Sequence, residues 1–202
     1  MKEKRWFPVM YMFVITAIVS TAVIGFSQYT RERVQANMER TFEIAVLKVL
    51  PGMFEPDLSF VELHKKFQQE IDKPTDKTAG AYTLRKNGTI EAYALPIEGQ
   101  GFWAKIKAVI GIEADKKTIT GIVIYEQTET PGLGAEVAKK EFTDQFENLK
   151  MSAQDKPIAF RRAGEELQDG QVHAVTGATQ TSTRLEKIIN DNLIQWLEKV
   201  EN

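Results

Sequence analysis

Twenty-five consecutive residues without a charge, Trp6 to Thr30, constrain this chain more than any other stretch of it. Phe7, Val9, Phe13, Val14, Ile15, Ile18, Val19, Val23, Ile24 and Phe26 all fall inside that run. About 20 apolar residues cross a bilayer as a helix. Trp6, Tyr11 and Tyr29 are suited to the two membrane–water interfaces, Trp6 and Tyr29 best by position. The competing reading is a cleaved signal peptide, for which the run is long, and Ser20-Thr21-Ala22 is the nearest approach to a cleavage site. An uncleaved anchor over residues 1–29 is therefore expected, with membrane lipid as the partner of Trp6–Tyr29. Flanking charge does not orient it. Lys2, Lys4 and Arg5 precede the run and Arg31, Arg33 and Arg40 follow it, so the positive-inside count is a tie.

The 202 residues leave room for one sizeable domain beyond this appendage. Net charge is −2, shared as +3 over residues 1–33 and −5 over the rest. A mildly acidic body gives no reason to bind nucleic acid. Cysteine is absent, which excludes disulfides and thiolate-held iron–sulfur clusters. His64 and His173 are the only histidines, and no spacing suggests a metal site.

Thr30 to Leu50 is rich in helix formers and stops at Pro51-Gly52, so residues 30–79 read as a helical stalk and linking region, with a short helix over Phe60 to Ile71. From Gly80 the pattern changes to strands: Ala81–Leu84 and Ile90–Leu95 around the hairpin signal Asn87-Gly88, then Ile106–Ile112 and Thr118–Tyr125. In the last of these Ile122 and Ile124 face one way and Ile119 with Val123 the other. A helix is expected from Ala135, using Val137, Ala138, Phe142 and Phe146, and weak strands over Ile158–Arg161 and Val172–Val175. The expected fold is α+β, a single transmembrane helix followed by a mixed, mainly antiparallel sheet domain with flanking helices over residues 80–202.

Two stretches stand out for chemistry. Thr176-Gly177-Ala178-Thr179-Gln180-Thr181-Ser182-Thr183 puts five hydroxyls in eight positions. A helix follows, with Leu185, Ile188, Ile189, Leu193, Trp196 and Val200 on one face, and Thr183 with Glu186 has the form of a capping box. Thr179 then lies on a loop entering a helix N-terminus, where free N–H groups and the helix dipole favour an anion such as phosphate. The plainer alternative is a hydroxyl-rich turn. The second stretch, Glu129-Thr130-Pro131-Gly132-Leu133-Gly134, follows a strand and precedes a helix, which is also the form of an ordinary connection. Ser182 lacks a visible base and a nucleophile-elbow context.

Thr176-Gly177-Ala178-Thr179 resembles the S/T-G-A-T flavinylation motif of the FMN-binding domain in the RnfG and NqrC subunits of bacterial respiratory complexes. Glu129 to Gly134 is similar to a recurrent E-T-P-G-L-G sequence of the same subunits, and Gly99-Gln100-Gly101-Phe102-Trp103 to a looser glycine-plus-Trp segment. Where the family usually carries Asp three residues before its motif, this chain has His173, which reads as a strand residue or as an influence on maturation or flavin potential. The resemblance implies FMN joined by a phosphoester to Thr179, with Thr176, Gly177, Ala178 and Thr181 around it. Trp103 and Leu133 are candidates for ring contact, and Thr130, Gly132 and Gly134 for backbone N–H groups toward ring or ribityl chain. Glu129 either bonds ribityl hydroxyls or caps its turn, and Trp103 is equally readable as a core residue.

It further implies an electron-carrying G-type member of an Rnf-like complex, or its NqrC relative, within an ion-translocating oxidoreductase. The body would lie on the extracytoplasmic side of the bacterial inner membrane. Partners would be the integral membrane subunits, with a separate flavin transferase for maturation, since a Thr hydroxyl needs an activating base or metal that is not visible here. A stand-alone flavodomain serving another reductase, and an anchored module that no longer receives flavin, are the alternatives.

Overall fold

The computed structural model describes residues 6–152 and 156–200. The flanking charges Lys2, Lys4 and Arg5, and the first and last residues of the expected domains, lie outside them. The chain divides into two units, residues 1–40 and 41–202.

In the first unit the described residues are helical throughout, within α1 (Trp6–Val49), and its apolar side chains are exposed. α1 is long and apolar enough to cross a membrane. The hydroxyls inside the run are satisfied by their own helix: Thr21 donates to Ala17 O at 2.8 Å and Thr30 to Phe26 O at 3.0 Å.

The second unit is built on a sheet of β1 (Ile71–Asp72), β2 (Tyr82–Lys86), β3 (Thr89–Gln100), β4 (Lys105–Glu113), β5 (Thr118–Glu126) and β6 (Leu149–Lys150), in chain order and wholly antiparallel. Asn87 and Gly88, both at positive φ, turn the β2–β3 hairpin as their dipeptide predicts. A separate parallel pair joins β7 (Ala159–Arg161) to β8 (Gln171–His173), so the expected mixture of strand directions is real but divided between two sheets.

Each face of the large sheet carries its own core. On one side Tyr93, Leu95, Ile97, Ile106, Ile110 and Ile112 meet the apolar face of α4 (Thr179–Lys199), where Leu185, Ile188, Ile189, Leu193 and Trp196 are buried as their spacing predicts. On the other, Ala92, Ala94 and Val109 meet the last turns of α1 and Leu63 of α2 (Phe60–Glu70). That second core moves a boundary. Residues 41–79 close one face of the sheet, so the compact unit begins at Thr41, where a stalk and linker had been expected up to residue 79.

Two further expectations are corrected. Ile119 packs in the same core as Ile122 and Ile124, opposite to Val123. The register slips between Gly111↔Gly121 and Ile112↔Ile119, and this bulge re-aims the side chains. The hydroxyl of the extra residue, Thr120, bonds Val49 O at 2.5 Å. The helix expected from Ala135 is instead a 3-10 turn (Gly134–Ala138), α3 (Lys140–Thr143) and a second 3-10 turn (Asp144–Phe146), with Lys139 extended between the first two. Val137 and Phe142 are five apart, off a common helical face, so a break is needed to bury both beside Phe146. Ala138 stays exposed.

Candidate functional site

The Thr motif enters α4 by a tight turn. Gly177 takes φ +78, Ala178 N–H donates to Val175 O at 3.2 Å, and Val175 N–H donates to Ser182 Oγ at 3.3 Å. The helix therefore starts at Thr179, with Ala178 at the cap position and no side chain capping it. The capping box expected from Thr183 and Glu186 does not form, because both already lie inside the helix. Glu186 instead accepts from Phe160 N–H at 3.1 Å and pairs with Lys156 at 2.9 Å. The first N–H with a backbone partner is that of Ser182, to Ala178 O at 2.9 Å. Those of Thr179, Gln180 and Thr181 have no protein acceptor among the described residues. Three free donors and the positive end of a 21-residue helix surround an exposed threonine.

The Glu129–Gly134 loop meets this turn through one buried carboxylate. Glu129 is 4% exposed. Its Oε1 accepts from the backbone N–H groups of Phe102 (2.8 Å) and Trp103 (3.1 Å), and its Oε2 from the Thr181 hydroxyl at 2.6 Å. Both oxygens are thus committed within the protein, and the capping role applies, although to a loop 26 residues away in sequence. Gly134 has to be glycine here: a Cβ would strike Thr181 Oγ1 and lie 2.9 Å from Glu129 Oε2. Trp103 is 65% exposed with its indole N–H on Thr130 Oγ1 at 3.1 Å, which removes the core reading of that residue.

Two clefts flank Thr179. One, of about 220 Å³, is walled by Phe102, Glu129, Thr130, Leu133 and Gly134 on one side and Gly177 to Thr181 on the other. The second, of about 470 Å³, is lined by Thr176, Thr179, Thr183, Phe160, Arg161 and Arg162 among others. Both sequence stretches therefore converge on one place, and Leu133 Cδ2 lies 3.2 Å from where a Cβ on Gly177 would stand.

Residues 101–194 match the FMN-binding domain family. Over this region the chain is similar to NqrC proteins. The NqrC protein of the Na(+)-translocating NADH-quinone reductase of Vibrio alginolyticus is 35% identical over 108 residues, covering 52% of this chain and 42% of that one. Its counterpart in the reductase of Chlamydia pneumoniae is 30% identical over 142 residues, covering 61% of this chain and 44% of that one. This chain thus spans less than half the length of these relatives. A crystal structure of the corresponding protein from Parabacteroides distasonis shares the fold at a TM-score of 0.68 and 20% identity, covering 84% of this chain and 96% of that one.

The residues fit FMN. Phe102 and Leu133, each 44% exposed, give the smaller cleft apolar walls for a flat ring. The free N–H groups of Thr179 to Thr181 suit a phosphate oxygen. Of the remaining predicted residues, Trp103 and Gly132 lie outside the residues lining either cleft, Gly132 at φ +75 with open space where a Cβ would stand, while Thr176 reaches only the larger one. His173 is turned elsewhere: its N–H donates to Gln145 Oε1 at 2.7 Å and its ring Nε2 pairs with Glu165 O at 2.9 Å. Sequence reasoning missed Phe102 as a wall and the adjacent Arg161 and Arg162. The only signal was their position, one at the looser glycine match and the others closing a weak strand.

Proposed function

We propose that this chain is a membrane-anchored electron carrier in which FMN is joined to Thr179 by a phosphoester. The observation that carries the reading is the exposed Thr179 beside three N–H groups unpartnered among the described residues, lining both clefts. Bound there, FMN supplies a reversible electron store. The chain's own residues hold it: Thr179 tethers the phosphate, the N-terminus of α4 stabilises its charge, and Phe102 and Leu133 border the ring, with Trp103 bonded to Thr130 of the cleft wall. A tether through the phosphate keeps the carrier from dissociating and leaves ring electronics to the cleft. The relatives named above support placing it within an ion-translocating oxidoreductase of the Nqr type, with an Rnf-like complex as the alternative that the motifs leave open. Its body would be extracytoplasmic, with membrane subunits delivering and removing electrons and a flavin transferase loading it.

The test is co-expression with a flavin transferase, followed by a denaturing gel under ultraviolet light and intact mass. A fluorescent band with an FMN-sized mass increase, absent in Thr179→Ala, is expected. A dark parent band would leave an anchored binding module in its place. A band that survives in Thr179→Ala would move the attachment elsewhere.

A further inference from the structure

Glu129 is the one charged side chain buried among the described residues, and no cation pairs with it there. It is also the only ionisable residue among those lining the smaller cleft. We propose that the Glu129 carboxylate is a positioning residue for electron chemistry: a fixed negative charge in the cleft wall that holds the flavin's reduction potential low. This rests on the reading that FMN attached to Thr179 lays its ring in that cleft.

The geometry locks the charge in place. Two backbone N–H groups hold Oε1 and the Thr181 hydroxyl holds Oε2. Neither neighbouring glycine leaves room for a side chain, a Cβ on Gly101 falling 2.6 Å from Oε1 and one on Gly134 2.9 Å from Oε2. Three hydrogen bonds hold the carboxylate in place, and at 4% exposure it is poorly screened. Reduction brings electrons into the cleft, and a neighbouring negative charge opposes every electron not matched by a proton.

A purely structural clamp has no need of the charge. An amide in place of the carboxylate still offers one oxygen to the N–H groups of Phe102 and Trp103, and its NH₂ can donate to a rotated Thr181 hydroxyl. Glu129→Gln thus removes the charge and keeps the shape, while Glu129→Asp keeps the charge and disturbs the shape. Where Glu129→Gln does not fold, the pair Glu129→Asp and Glu129→Asn repeats the comparison at equal length.

The experiment is a dithionite titration with redox mediators on the flavinylated parent and variants, followed by flavin absorbance. Dithionite is oxidised to sulfite and its electrons pass to the flavin. Removing the charge is expected to favour the reduced form by about tenfold or more, a rise of roughly 30 mV for a two-electron couple. Glu129→Asp is expected to stay near the parent. An unshifted Glu129→Gln that carries a normal fluorescent band overturns the proposal, as does an Asp variant that shifts as far as the amide. A parent chain with no fluorescent band fails earlier, at the FMN reading, and takes this inference with it.

Discussion

At the start of α2 the Ser59 hydroxyl and the Glu62 carboxylate close on each other, whereas the start of α4 offers only the methyl of Ala178. In the first case Ser59 N–H donates to Glu62 Oε2 at 2.8 Å, the Ser59 hydroxyl donates to the same oxygen at 2.6 Å, and Glu62 N–H reaches back to Ser59 Oγ at 3.4 Å. In the second, three N–H groups are left without an acceptor among the described residues. Both helices lie on the same sheet, on opposite faces, and both bury apolar side chains. The difference is therefore not one of stability in general. Capping satisfies a helix end that has no other task. An end left bare beside a cleft keeps its donors for an anion.

The largest test of that contrast is amide hydrogen exchange before and after flavin attachment. Free, exposed N–H groups exchange quickly, and a charge-assisted bond to a phosphodiester slows them, here by roughly tenfold or more. Thr179 and Gln180, both exposed, are expected to gain protection on attachment, while Glu62 N–H at the capped end of α2 stays as it was. Equal change at both ends would erase the distinction.

A smaller effect comes from the caps themselves. Ser59→Ala is expected to cost about 1 kcal/mol in a urea titration, the usual value of a lost N-cap oxygen. Thr183→Ala is expected to go the other way, stabilising by roughly 0.5 kcal/mol, because an exposed β-branched residue within a helix gives way to the best helix former. Opposite signs at two positions of like composition would establish which box is closed. A loss of stability at Thr183 of the size seen at Ser59 would restore the box expected from sequence.

The sequence pattern at Thr183 and Glu186 was as good as the one at Ser59 and Glu62, and only the second closes. What separates them is tertiary: Gly177 at φ +78 starts the helix early, and Phe160 and Lys156 claim Glu186. The same holds elsewhere. The periodicity of α4, the Asn87-Gly88 hairpin and the stop at Pro51-Gly52 depend on neighbours in the chain and could be read directly. The bulge at Thr120 depends on Val49 O, 71 residues away, and the grip of Glu129 on Phe102, Trp103 and Thr181 spans up to 52. At the candidate site the motifs named the two loops, while their meeting, and the commitment of both Glu129 oxygens, had no local signal. Residues 30–79 read as a helical stalk and linking region for the same reason: nothing local in them shows that Val46, Leu47, Leu50 and Leu63 cover one face of a sheet formed later in the chain.

The finest test is pH. The hydrogen bonds from the Ser59 hydroxyl and then its backbone N–H hold the Glu62 carboxyl below the usual carboxylate range, with a small opposing push from desolvation. A carboxyl whose folded value is depressed adds stability that is fully present above the unfolded value, about 4.3 for Glu. That stability is lost as pH falls through the lower folded value. Glu62→Gln has no such proton to take up. The stability gap between parent and variant should therefore be constant from neutral pH down to the carboxylate range and then narrow as acid is added. Because Glu62 is exposed, the gap is small, and the difference between parallel melts of the two proteins is what isolates it from the similarly lowered Glu98 and Asp115. A gap that stays constant into acid would mean that the box is held by Ser59 alone. α2 would then be capped by one hydroxyl, and the contrast with α4 would rest on that single oxygen.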